Sequence, residues 1–588
     1  MLQKGPLMKY RKRIPALLPA FLFLVFTVSE SLGTDKIDQV RFFIIDPPTL
    51  ECLGFRWYIY GDDNGNATVA MNYRKKGDSE WKKALSMLRV NREVTNWDFE
   101  PYASDNMFAG SIFSLENDSD YEVSCRMSDP DGGKADTTVV VHTRPVPVAP
   151  KPLRTLHLYS GGKSGSPDSF TRFSDLAKIL KPGDLALIHR GIHNLGPLGV
   201  KITVSGTPKN PIVFRAAGDG GAVLDAGNSE TIFDIRNINH LFFENLAIRN
   251  GGYAFRADGA SWLTVTRCAI TDVVMGFYSY SELSENWYVA DNIITGRNPT
   301  WHPRQEENPS HTGAKIYGRG HVFCYNKVSK FWDCLAIANY GKPQHDFNLK
   351  CVAIDFYNNE LTEAVDDCIE SDYGCHNIRM FRNRLSNSFT GLSAQPTYGG
   401  PVYFIRNEVY NATGLPLKLH NWCAGLEIFH NTLITPRAAF RSYARWQNGI
   451  LRNNLFLGVS GYAVETGSPS PKTTLDYNGY RKADPERLFK WYDGKSEQRY
   501  PTLEAFTKGA GFEKHGIMVD FDIFTRAAPP KEGNTYTPAD YDLTLKPGAV
   551  AVDAGEVLPN INDGFSGKAP DLGCYESGQP LPHYGPRK

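Results

Sequence analysis

At 588 residues the chain exceeds what one ordinary hydrophobic core supports, so two or more domains are expected. Apolar residues make up 41% and charged residues 22%, as in soluble globular proteins, and 64 Lys plus Arg balance 64 Asp plus Glu. That balance excludes a global pull on nucleic acid or anionic lipid, so affinity for a charged polymer must come from a local patch.

Lys9, Arg11, Lys12 and Arg13 precede an apolar run from Ile14 to Val28, and Ser31-Leu32-Gly33 supplies small residues for cleavage. This predicts a secretory signal peptide over 1–33. An uncleaved anchor is the alternative, but a run of about 15 residues falls short of the roughly 20 that span a bilayer. The mature chain is therefore expected outside the cytoplasm, secreted, periplasmic or at the cell surface. The ten cysteines show no CxxC pair and no zinc spacing, which argues against a structural metal site. Export permits disulfides without demanding them in a chain this large.

Residues 36–145 read as short strands broken by turns. Phe55-Arg56-Trp57-Tyr58-Ile59 and Ala67-Thr68-Val69-Ala70-Met71 flank Gly61-Asp62-Asp63-Asn64-Gly65, and Thr137 to Val141 follows Asp129-Pro130-Asp131-Gly132-Gly133. Leu115 with Tyr121 six residues on resembles the tyrosine-corner strand of fibronectin type III domains. The resemblance implies a β-sandwich module acting as a spacer, with glycan binding as the alternative. It also puts Cys52 and Cys125 on strands that a disulfide could join. A Pro-rich stretch over 146–154 then predicts a stiff, extended linker.

Lys181-Pro182-Gly183-Asp184 before Leu185-Ala186-Leu187-Ile188 resembles the first turn of pectin-lyase-like β-helix proteins. Internal repetition is the stronger signal. Asparagines recur at 245, 292, 326, 359, 383, 407, 431, 454 and 478, and the last five steps are 24, 24, 24, 23 and 24 residues. Arg267 interrupts the series. Such a repeat fits solenoid coils of short strands, with side-chain amides bonding from coil to coil. The fold class predicted is all-β: a right-handed parallel β-helix over 155–480, preceded by the small sandwich. Cys334 and Cys368 fall at equivalent places and should be neighbours. Residues 481–545 read as an irregular insertion with a short helix at Leu503–Phe506. Residues 546–588 close the solenoid, with Asp571 to Glu576 resembling the closing strand of secreted β-helix proteins.

Strand alternation says which side chains leave the core. Aligned coils stack Lys315, Ala336, Glu370, Ser393, Lys418 and Arg441 in one outward row, and Tyr317, Ala338, Asp372, Gln395, His420 and Tyr443 in a second, with Arg445 just beyond. Two long steps, of 34 and 33 residues, carry polar loops around Trp301 and His345 that should border a binding face. This wall of acids followed by cations resembles the cleft of polysaccharide lyases on the same fold. The resemblance implies β-elimination on a uronate-containing polysaccharide. Lys418 is then the candidate base, His420 its competitor, and Arg441 the partner of the substrate carboxylate. Gln395, Tyr443, Arg445, Lys315 and Trp301 are candidate substrate contacts, and Asp366, Asp367, Glu370 and Asp372 candidate oxygen ligands for Ca²⁺. Salt bridges between Lys418, Arg441 and those acids are the structural alternative. Two other functions stay open: a glycoside hydrolase using neighbouring carboxylates among Asp366, Asp367 and Glu370, and a non-catalytic glycan-binding or adhesion protein. In each case the partner is a polysaccharide, with no nucleic acid, and a monomer is expected.

Overall fold

The computed structural model describes residues 34–96, 101–162, 166–298, 301, 308–339, 341, 343–442 and 445–588. The expected signal peptide, Tyr443 and part of the loop after Asn298 lie outside the described residues.

Two four-stranded antiparallel sheets pack face to face over residues 37–142. In Asp120–Ser128 every second residue points inward, so Tyr121, Val123, Cys125 and Met127 meet Phe55, Trp57, Val69 and Met71 in one core. The Tyr121 hydroxyl accepts a hydrogen bond from the Glu116 amide at 2.9 Å. The strand Leu53–Gly61 is buried along almost its whole length. Its inner face joins the sandwich core, while Arg56 and Tyr58 face the second domain; the Arg56 guanidinium bonds Asp46 of the sandwich at 2.7 Å and, across the interface, the Phe347 carbonyl at 3.1 Å.

From Arg154 the chain winds into a right-handed parallel β-helix with one parallel sheet of 14 strands and another of 16. A coil such as Ile378–Phe381, Arg384–Ala394 and Val402–Ile405 shows the unit: a short strand, a tight corner, a long strand that bends, and a return loop. The corner explains the asparagine period. Asn383 donates through Nδ2 to Asn407 Oδ1 at 3.0 Å and to the Phe356 carbonyl at 2.9 Å. Its Oδ1 accepts the Asn359 amide and side chain at 3.1 and 3.0 Å. The same pattern runs unbroken from Asn292 to Asn478. The residue before each of these asparagines is left-handed, with φ between 53 and 61°, a cost that the saturated ladder offsets.

The ladder differs from the sequence expectation at its start. Asn245 and Arg267 occupy the left-handed place, one residue early, and the ladder position in that coil belongs to Cys268, whose amide donates to Asn292. At its far end the ladder meets Glu513, which accepts from Asn478 Nδ2 and the Tyr480 hydroxyl, both at 2.8 Å. Glu513 lies in the stretch expected to be irregular. There the helix Leu503–Ala510 does form, with Thr502 accepting from the Ala505 amide and left-handed Gly511 ending it. Asp571 to Glu576 forms no strand. It lies along the solenoid's flank, where the Cys574 amide donates to the Thr432 hydroxyl and the Gly573 amide to the Asn453 carbonyl.

All ten cysteines are free. Cys334 and Cys368 are in side-chain contact, as their equivalent positions predict. A Cys52–Cys125 bridge is excluded, because Cys125 lies in the sandwich core while Cys52 faces the solenoid among Phe113, Tyr357 and Tyr403. The sandwich is in fact docked on the solenoid. Ser111 bonds the Tyr403 hydroxyl and Asn377, Arg382 pairs with Glu51 at 2.6 Å, and Lys350 with Asp105 at 2.8 Å. After the sandwich, Arg144 is buried and donates to the Gly320 carbonyl at 3.0 Å, so the Pro-rich segment starts from a pinned residue. Among the described residues no helix is long and apolar enough to cross a membrane.

Candidate active site

The outward row exists in the expected register. Lys315 pairs with Ala336, Ala336 with Glu370, Glu370 with Ser393, and Ser393 with Lys418 on successive coils. Arg441 follows one coil on, where Ser442 bonds the carbonyl of Leu419. The wall is nonetheless far less exposed than expected: Lys315, Asp367, Asp372 and Lys418 are all buried, and Asp366, Glu370, Gln395 and His420 half-buried. Tyr317 and Ala338 belong to the solenoid core.

Strict alternation would send Asp366 and Asp367 to opposite faces. The strand Glu360–Ser371 breaks register between Ala364 and Asp367, a bulge that lets both acids face the same side. Asp333, one coil earlier, joins them, and one carboxylate oxygen from each of Asp333, Asp366 and Asp367 lies within 4.8 Å of the other two. The Asp367 amide donates to Asp333 Oδ1 at 3.3 Å, and the Trp332 indole hydrogen-bonds Asp366. Lys418 closes the group from two coils away, its Nζ 2.5 Å from Asp367 Oδ2. Asp367 Oδ1 is buried without a hydrogen-bond partner.

Crowding separates the charges into distinct states. Burial, then Asp367, pushes the Asp366 carboxyl up to about 7 against the pull of Lys418. Burial, then Glu370, holds Asp333 and Asp372 well above the usual range. Glu370, raised by burial and Asp367, shares a hydrogen bond with Asp372, so these two acids pair with each other. Burial opposes charge on Lys418, but Asp367, Asp366, Glu370 and Asp372 outweigh it and hold the ammonium well above its ordinary value. His420, by burial and then Lys418, falls to about 4. At neutral pH the site therefore holds a protonatable Asp366, a cationic Lys418 and a neutral His420.

Next to it opens a cavity of about 400 Å³ lined by Arg441, Arg445, Glu465, Lys490, Tyr492 and Glu497 among others. Arg441 pairs with Glu465 at 3.1 Å, and Lys490 bridges Glu465 and Glu497 at 3.3 and 3.1 Å. Arg445 is exposed and lies between the rings of Trp422 and Tyr492. Trp301 is buried, so its ring is not displayed to solvent. Lys315 Nζ sits 5.6 Å from the Tyr280 ring.

Sequence reasoning missed Asp333 and Trp332. The alignment that matched Cys334 to Cys368 also matches Asp333 to Asp367, so the signal was present. As donors, Asp333, Asp366 and Asp367 fit a hard divalent cation better than the expected set, because Glu370 and Asp372 bond each other.

No family model matches the chain, and no curated protein does. Among solved structures, the catalytic domain of a GH87 alpha-1,3-glucanase in complex with nigerose is similar at 8% identity, covering 76% of this chain and 83% of that one, with a TM-score of 0.21. A likeness that slight says nothing about activity.

Proposed function

We propose that the chain is an exported carbohydrate-active enzyme that hydrolyses a polysaccharide with Asp366 and Asp367. One observation carries the reading: a half-buried carboxyl with its pKa pushed to about 7 lies against a second carboxylate fixed by a buried ammonium. A raised carboxyl beside a carboxylate paired with an ammonium supplies the acid and the base that glycosidic hydrolysis needs. Asp366 delivers its proton to the bridging oxygen as that oxygen leaves the anomeric carbon. Asp367 takes a proton from the water whose oxygen bonds that carbon. Lys418 holds Asp367 in place.

The same contact weighs against Lys418 as the base of a lyase, because its lone pair is committed to a proton. A lyase reading keeps one support, the neutral, half-buried His420, which could accept the proton beside a uronate carboxylate. In that reading Asp333, Asp366 and Asp367 would hold Ca²⁺, whose charge would stabilise the developing carbanion. Digestion of a panel of neutral and uronate-containing polysaccharides separates the two. Hydrolysis releases reducing ends without new ultraviolet absorbance, whereas elimination gives an absorbing unsaturated uronide that is lost with chelator.

A further inference from the structure

Trp422 and Asn421 are both left-handed, at φ 59 and 57°. Trp262, Tyr325, Tyr373 and Tyr477 share that conformation, so it is a recurrent one in this solenoid, held where the surroundings impose it. Here the surroundings are visible on two sides. The Trp422 amide donates to the Arg445 carbonyl at 2.8 Å, which stacks the two residues on adjacent coils. Its own carbonyl accepts from Gln447 Nε2 at 3.0 Å, and the same Nε2 donates to the carbonyl of Val94, in the sandwich, at 2.8 Å. Asn448 adds bonds to the Arg89 carbonyl and to Glu93, both at 2.9 Å.

The result is a ledge at the cavity mouth. The Arg445 guanidinium carbon lies 5.2 Å from the Trp422 ring and 4.4 Å from that of Tyr492, with an Arg445 N–H donating to the Tyr492 hydroxyl at 2.7 Å. Arg445 is exposed and Trp422 only half-buried. The ledge begins two residues beyond His420, on the coil that carries Lys418. Flat aromatic surface joined to a fork of N–H donors suits a pyranose ring, whose C–H face packs on the aromatic and whose hydroxyls meet the donors.

We propose that Trp422 is a sugar-stacking platform of the substrate site, and that the N-terminal sandwich sets its position through Gln447. This deepens the hydrolase reading above, on which its location in a substrate cleft rests. Trp422 is the contact residue; Gln447 and the sandwich are positioning elements.

The test uses affinity electrophoresis of the full chain carrying Asp367→Asn, which binds without turnover, through gels cast with β-glucan, xylan, galactomannan, polygalacturonate or alginate. Retardation by at least one polymer is expected. Adding Trp422→Ala should weaken it at least tenfold, Trp422→Tyr should restore part of it, and Gln447→Ala should weaken it severalfold. In the catalytic background Gln447→Ala should raise KM with little change in kcat, which loss of folded enzyme would not do. Retardation unaffected by Trp422→Ala, or none by any polymer, overturns the proposal. Retardation that depends on Trp422 in a chain whose parent cleaves no glycosidic bond by hydrolysis sustains the platform and sinks the hydrolase reading instead.

Discussion

Replacing Lys418 with methionine keeps the stem and removes the ammonium that binds the acid cluster. The Lys418 side chain is 10% exposed and that of Asp367 0%, so bulk solvent makes up little of the lost contact. Breaking a buried pair by removing one partner costs about 3–5 kcal/mol, because the other charge is left uncompensated. The loss should depend on pH. Without Lys418 the remaining carboxyls bind protons more tightly folded than unfolded, so the variant keeps its stability in acid and loses it as pH rises. The full cost is expected at pH 8 and a much smaller one at pH 5. Adding Asp367→Asn removes the orphaned charge and should recover about half of the loss, a coupling read from a double-mutant cycle. Urea unfolding followed by tryptophan fluorescence at both pH values measures it. A Lys418→Met chain within about 0.5 kcal/mol of the parent at pH 8, or one equally destabilised at both pH values, would refute the buried-pair account.

Three further outcomes follow from the geometry. With Asp366 protonated up to about 7, turnover should fall as pH rises through that value. Asp366→Asn should cost roughly 10²–10⁴-fold on polymer but far less on an aryl glycoside whose leaving group needs no proton; equal losses on both would remove Asp366 as the acid. Asn407→Leu orphans the Asn383 amide and weakens four ladder bonds, so thermal or urea unfolding should show a loss of about 3 kcal/mol or more, against under about 1 for an exposed loop asparagine. Glu513, raised by burial to about 7 despite the donors facing it, binds its proton more tightly folded than unfolded. Stability should therefore decline from the ordinary glutamate range and level off above about 7, a slope that Glu513→Gln abolishes.

The solenoid was legible because its period is written in a residue whose chemistry demands it. A side-chain amide donates two bonds and accepts two along the ladder, more than a hydroxyl can donate, so asparagine repeats where the apolar core residues vary. The outward row was legible for a related reason, since alternation and coil register together place Glu370, Ser393 and Lys418. The centre of the proposed site was less so. It depends on a bulge at Asp366, and one extra residue in a strand leaves no compositional mark. The pairing of Lys418 with these acids was an alternative from the sequence, but its burial against Asp367, 51 positions away, was not. The docked sandwich could not be read from its own strands, whose second apolar face, with Tyr58, Val90, Met107 and Ala109, resembles ordinary strand sequence until a partner surface is known.

The most direct test of paired-carboxylate hydrolysis is digestion of a cleaved polysaccharide in ¹⁸O-water, with products reduced at once to block exchange and weighed by mass spectrometry. The account predicts one solvent oxygen at each new reducing end, lost in Asp366→Asn and Asp367→Asn alike. Products that carry no solvent oxygen and are lighter by one water would contradict it.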